Sequence, residues 1–570
     1  MLFGASRGPP GIVIRYCDPF LGSNTITPMF NRLALLCCAV ALGALRSSAL
    51  SIPAEQPSAF ESEALGLMPA HIGKAVISKD GRHVVLAAKS AEGKISVFVD
   101  GKEGRPCEGI GDMAISPDGQ HAVYSVINND KATVVADGRE FGPYGSIGRD
   151  SLTFSLDSKH LLFIALDGDK ACVVMDGVSG PQYDGVTAGS ASFGPVGNRW
   201  KYVAWKGQKQ LLVLDGKEHT VYDGVGDGSP VFSADGQHVA YSAQRDGSWF
   251  AVIDGIEQPA YSGIGNGSPF FSADGKRVAY AASVKGLNWL AVIDGKPGPL
   301  FNKVGTLRFS PNSKHVVYVG TKGISPVVVM DGQEGLQYDN IARGSLILSK
   351  DGNHFAYVAQ RNGNWYFVKD GHEGPRYDAI GDTAVLSLDG TRFAYEVGKG
   401  SNWALVLDGH ESPPYRGIIR DSLVFSTDSK HFAYRASDHD KQFVVVDGQD
   451  GVPSDGAIDH FVFSPDGRRF AYLAWKERKP VVVIDGQQTP YDSVSQNGIA
   501  FSDDSKHVAY GAQIGQEAFC VVDGHRSPSY DTFVGFEPAK MVFNPDDSLE
   551  FLAAKDGILY RVHYHAALAK

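Results

Sequence analysis

Twelve aspartates, each followed by glycine, recur after apolar runs: Asp100, Asp137, Asp176, Asp215, Asp254, Asp294, Asp331, Asp370, Asp408, Asp447, Asp485 and Asp523. Carboxylates at a regular interval are potential metal ligands. Their spacing of 37 to 40 residues never brings in the alternating carboxylates that a calcium loop uses. One Asp-Gly per unit is instead what a tight hairpin turn demands, because both of its central residues take positive φ. No metal, cofactor or catalytic residue is expected at these positions.

Other chemistry is sparse. Neither Gly-x-Ser-x-Gly nor His-Glu-x-x-His occurs, and His71, His439 and His460 stand isolated along the chain. What remains are charged residues that differ from unit to unit. These are Arg149-Asp150 and Arg420-Asp421, read as loops between strands d and a, and Arg245-Asp246, Arg361 and His439, read as loops between strands b and c. Loops carried on a rigid scaffold are where binding groups are usually mounted, so these eight residues are the candidate binding set.

The elements that must position them follow from the repeat. A second turn precedes each Asp-Gly, as at Asp235 before Asp254 and Asp466 before Asp485, and a thirteenth lies at Asp546. In the unit from Ser229 to Gly265, Pro230 to Ser233 reads as strand a, His238 to Ala243 as b, Trp249 to Ile253 as c and Tyr261 to Ile264 as d. Strand c is apolar on both faces, as in Val327 to Met330, which suits blades stacked face to face. Tyrosines seven residues after the aspartates (Tyr183, Tyr222, Tyr261, Tyr377) are expected to plug the gaps between blades. The expectation is an all-β chain of about thirteen four-stranded blades.

A longer period lies on top of the short one. Ser78 to Gly81 returns at Ser349 to Gly352, Arg149 to Leu152 at Arg420 to Leu423, and Ala204 to Lys206 at Ala474 to Lys476, offsets of 270 or 271 residues or seven units. Tandem β-propellers of seven and six blades are therefore expected, at 66–341 and 342–570. The last unit lacks a strand d, and the stretch Pro69 to Gly73 is a candidate to supply it.

At the amino terminus, Arg32 precedes an apolar run from Leu33 to Leu45, followed by Arg46, Ser47, Ser48 and Ala49. This is the layout of an export signal within 1–50, with Met29 as the expected start and 51–65 as a linker. A run of thirteen residues is short for a membrane span, so none is expected in the mature chain, which is placed in the periplasm or outside the cell. Net charge is −11 without basic clusters, which argues against nucleic acid as a partner. Cys107, Cys172 and Cys520 lack metal-ligand spacing and are expected as buried thiols.

The Phe463 to Gly467 hairpin (Phe-Ser-Pro-Asp-Gly), with Ala471-Tyr472 in the next strand, resembles the WD40-like repeats of TolB-type and prolyl-oligopeptidase-type propellers. That resemblance implies the fold over residues 66 to 565 and leaves function open. The reading is an exported, non-enzymatic scaffold for a protein, peptide or glycan. The alternative is a hydrolase or lyase with a catalytic cluster at a propeller axis.

Overall fold

Each Asp-Gly pair closes a two-residue hairpin: Asp254 has φ 49° and Gly255 φ 80°, and the other eleven aspartates lie between 48° and 51°. This is the mirror-image turn whose twist matches that of the flanking strands. In the computed structural model, which describes residues 59–565 apart from 70, 90–92, 197, 229, 285–287, 459, 496–497, 535–540 and 542, every named element is a strand. The strands form thirteen separate antiparallel sheets, one per repeat. Among the described residues no helix is long and apolar enough to cross a membrane. The expected signal at 1–50 lies outside the described residues.

Blade 5 shows the plan. Strand b (Val239–Arg245) pairs with c (Ser248–Ile253), and c pairs with d (Ile256–Glu257). Strand a comes in two halves, Gly224–Val225 and Val231–Phe232, both paired with b. The expected strand d, Tyr261 to Ile264, is therefore divided. Tyr261 bridges back to Trp249 of strand c, while Gly263–Ile264 pairs with Ser283 and Ala282 and opens strand a of blade 6. The a strands are half-buried and the d strands mostly exposed, as wedge-shaped sheets require when their a edges converge on an axis.

Packing between blades makes the ring. Leu212 of blade 4 joins Tyr241 and Val252 of blade 5, and Val317 and Val328 of blade 7 join Tyr357 and Val368 of blade 8 in the same way. Leu552 and Leu559 of blade 13 pack on Val84, Leu86 and Phe98 of blade 1, so the circuit closes. An apolar cluster spans each of the thirteen successive interfaces. The expected division into seven and six blades is not seen. It would separate blade 7 from blade 8, and that junction carries a core like every other. Residues Ala59–Lys570 form one compact unit.

The amino terminus does close the last blade, through a different segment from the one expected. Phe60–Leu67, rather than Pro69 to Gly73, pairs along its length with Ile558–Tyr564 and serves as strand d of blade 13. At this seam Arg82 Nε lies 2.5 Å from Glu550 Oε2, and Arg561 Nη2 donates to the Arg82 carbonyl at 3.0 Å.

The three described cysteines are free: Cys107 and Cys520 are buried and Cys172 is partly so. Burial pushes the thiols of Cys107 and Cys520 up, which removes the thiolate that reacts. Iodoacetamide at pH 8 should leave both unmodified in the native chain and label both in guanidinium. Residue-level mass spectrometry checks this, and native labelling at Cys520 would contradict the packing.

Candidate functional site

One rim of the ring carries the a–b and c–d turns, and its repeated Ser, Asp and His or Arg side chains hold it together. In blade 5, Ser233 Oγ donates to Asp235 Oδ1 at 2.5 Å and accepts from the His238 amide at 2.9 Å. Asp254, the turn aspartate, accepts from the Val239 amide at 2.9 Å and bonds His238 Nδ1 at 2.7 Å. Arginine takes the histidine's place in blades 4, 6, 9 and 11 and reaches further. Arg199 Nη1 donates to the carbonyls of Gly236 and Gln237 in the next blade, at 3.0 and 2.8 Å. The repeated aspartates are thus turn formers and structural acceptors. In most blades their His or Arg partners lie five residues after the turn serine, in a Ser-x-Asp-x-x-His/Arg spacing that is legible in the sequence; blade 4 has Gly194 and Val196 in place of the Ser and Asp, and blade 7 has Asn312 in place of the Asp.

These bonds set an acid limit. Hydrogen bonds from the turn serines hold the carboxyls of Asp235, Asp274 and Asp466 below their ordinary range, and those of Asp389 and Asp428 down to about 2. A carboxyl depressed in the folded state adds stability above its unfolded pKa of about 3.9 and loses it as pH falls through the folded value. The melting temperature should be level from about pH 7 to 5 and fall steeply between about pH 4 and 2. Calorimetry across that range checks it, and a midpoint unchanged at pH 3 would contradict it.

The opposite rim carries the b–c turns and a second set of clasps. Tyr183, Tyr222, Tyr261 and Tyr377 do lie between blades, each edge-on to a tyrosine of the next blade with ring centroids 5.9 to 6.2 Å apart. The Tyr222 hydroxyl, pushed up to about 12 by burial, donates to Glu257 at 2.9 Å. Arg245 Nη2 meets the same glutamate at 2.6 Å and lies over the rings of Tyr222 and Phe250. Its bond holds the Glu257 carboxyl below the usual range. Arg361 repeats the arrangement with Glu373 and the rings of Tyr338 and Tyr366. Two of the four arginines in the candidate set, Arg245 and Arg361, are therefore clasps between strands b and d and the preceding blade.

The other candidates are exposed and scattered. Asp246 and His439 occupy b–c turn tips of blades 5 and 10, with His439 Nδ1 3.1 Å from Asp438. Arg149-Asp150 and Arg420-Asp421 are not beside those turns. They form the tips of short loops between the two halves of strand a in blades 3 and 10, on the inner edge. Among the described residues no group of His, Cys, Asp or Glu side chains could hold a metal ion.

Those inner-edge loops share one frame. The residue after the tip is serine: Ser151, Ser190, Ser345 and Ser422 accept from the amides of Ile164, Val203, Val358 and Arg435 at 3.0 to 3.2 Å. The second tip residue has positive φ, from 53° at Asp150 to 81° at Gly344. In blades 3, 4, 8 and 10 the exposed tips on this frame read Arg149-Asp150, Ala188-Gly189, Arg343-Gly344 and Arg420-Asp421, and the corresponding exposed tips of blades 5 and 6 read Asp227-Gly228 and Asn266-Gly267.

The pairings define the chain as a thirteen-bladed β-propeller. No family model matches it, and no curated protein is detectably similar in sequence. Among solved structures it is similar to one described as the crystal structure of the eukaryotic initiation factor, at 10% identity and a TM-score of 0.30, covering 72% of this chain and 96% of that one. It is also similar to the Cps50 (Swd1) β-propeller domain of Myceliophteria thermophila, at 13% identity and a TM-score of 0.21, covering 46% and 96%. A third is the Dos1 propeller, at 10% identity and a TM-score of 0.26, covering 54% and 93%. The fold assignment rests on the blade pairings of this chain.

Proposed function

We propose that this propeller is an exported, non-enzymatic scaffold that binds a protein, peptide or glycan at the inner edge of its ring. The observation that carries this reading is the set of inner-edge loops in blades 3, 4, 8 and 10: one serine-anchored frame, with exposed tips that change from blade to blade. A constant frame with variable tips is how rigid scaffolds mount recognition groups. On the turn rim the repeated Ser, Asp and His or Arg side chains are spent on one another. Export is proposed from the apolar run at Leu33 to Leu45, and amino-terminal sequencing of the mature protein tests it.

Affinity capture with the mature chain from its own envelope or secreted fraction, followed by crosslinking, tests the binding face. Arg149→Glu and Arg343→Glu should weaken the captured partner at least about tenfold, while stability changes by under about 0.5 kcal/mol, as is usual for exposed loop substitutions. A partner that crosslinks only to the Asp-Gly turn rim, and ignores these variants, would overturn the assignment.

A further inference from the structure

In blade 10 the clasp to the preceding blade lacks the cation that blades 4, 5, 7 and 8 carry. In blades 4, 5, 7 and 8 the last residue of strand b (Lys206, Arg245, Lys322, Arg361) pairs with a strand d glutamate twelve residues on. The same cation lies 5.6 to 6.0 Å from the centroid of an aromatic ring in the preceding blade. In blade 10 these two positions, again twelve residues apart, are Asp438 and Asp450. The register is kept. Tyr415 of blade 9 donates to Asp450 at 2.6 Å, across the same 35 residues that separate Tyr183 from Glu218 and Tyr222 from Glu257.

The substitution coincides with a cleft of about 500 Å³ lined by Pro413, Pro414, Tyr415, Asp438, Phe443 and Asp450. Its volume is in the range of ligand sites, roughly 300–1,000 Å³. Two carboxylates and two aromatic side chains line the place where blades 4, 5, 7 and 8 put a lysine or arginine. Near Asp438 lie Arg416, with Nε 4.0 Å away, and the ring of His439, both largely exposed side chains, while Lys441, opposite Asp438 in the hairpin, is paired with Asp455; among the described residues no cation lies over Tyr415. Carboxylates beside an aromatic face are complementary to a guanidinium or alkylammonium group.

We propose that this cleft is a socket for an arginine or lysine side chain of a peptide or protein partner, which supplies in trans the cation that blades 4, 5, 7 and 8 supply themselves. The peptide source is favoured by the setting. The cleft opens on the outer d edges of two blades, where exposed strand backbone can pair with an extended segment, and Pro413-Pro414 gives an apolar shelf without competing donors. This inference is independent of the inner-edge loops.

Calorimetric titration of the mature chain with an extended peptide bearing one central arginine, against the same peptide bearing glutamine, tests it. The arginine peptide should bind at least about tenfold more tightly. Asp438→Lys should fill the socket with the chain's own cation and abolish that preference without lowering the melting temperature, while Asp246→Lys leaves binding unchanged. Equal binding of the two peptides, no binding of either at millimolar concentration, or undiminished binding by a folded Asp438→Lys variant would each overturn the proposal. Binding of arginine amide alone as tightly as the peptide would overturn the choice of partner.

Discussion

Removing Phe60–Leu67 should open the ring and cost more stability than any single side chain in it. The segment pairs with Ile558–Tyr564 from Phe60 to Leu67, and it covers Leu559, Val562 and Tyr564, all completely buried. Phe60 is itself 6% exposed, in the core of blades 12 and 13. Truncating a buried phenylalanine to alanine costs about 3–5 kcal/mol, so Phe60→Ala alone should show most of a destabilisation that the deletion exceeds. The deletion also leaves a bare strand edge, which invites pairing between chains. Calorimetry should give a lower, broader transition, and light scattering should show association. A synthetic peptide of the sequence Phe60 to Leu67, added in trans, should restore both, because the seam is built from strand pairing and side-chain contacts rather than chain connectivity. A deletion variant that melts within about two degrees of the full chain would show that the ring holds without its closing strand.

The blades were legible because hairpins are local. A two-residue turn with positive φ at both centres tolerates few residue types, and Asp-Gly after an apolar run announces each one. The closure of the ring is not local. Whether blade 7 packs on blade 1 or on blade 8 depends on the wedge angle at each interface. That angle is set by contacts between side chains such as Val328 and Tyr357, and no local spacing records it. The seven-unit similarity was real as a pattern and silent about the circuit. The division of strand a was hidden for a related reason: Gly263–Ile264 begins two residues after Tyr261, yet pairs into the next blade.

Charged loops misled where a partner lay across a hairpin. Arg245 and Arg361 looked exposed and variable, but a glutamate twelve residues on, in strand d, meets each of them at 2.6 Å. That twelve-residue spacing is readable, and with it the exception at Asp438 and Asp450 is readable too. The inner-edge loops carried their own signal in the serine that follows each tip. What no residue pattern reveals is that they stand on the inner edge, since that needs the pairing of both halves of strand a with strand b.

The interface between blades 7 and 8 is where one ring and two rings differ most, and Tyr357→Ala tests it. Tyr357 is 1% exposed, packs with Val317 and Val328 of blade 7, and meets Tyr338 edge-on at 5.9 Å. Losing a buried aromatic side chain should cost about 3–5 kcal/mol, with part of that from the cavity left behind. In a ring whose blades touch only their neighbours, the loss should be felt first on both sides of one interface. Hydrogen exchange read by mass spectrometry should therefore show faster exchange in strands Val316–Lys322 and Ser325–Met330 of blade 7 together with Phe355–Arg361 of blade 8. Strands Val84–Lys89 and Leu549–Lys555, at the seam, should keep their protection until global unfolding. Two separate rings would give another pattern, with loosening confined to blades 8 to 13 and blade 7 untouched. A double-mutant cycle between Val328→Ala and Tyr357→Ala adds the energetic test: residues in contact couple by about 0.5–3 kcal/mol, and additive effects would mean that the two blades do not share a core.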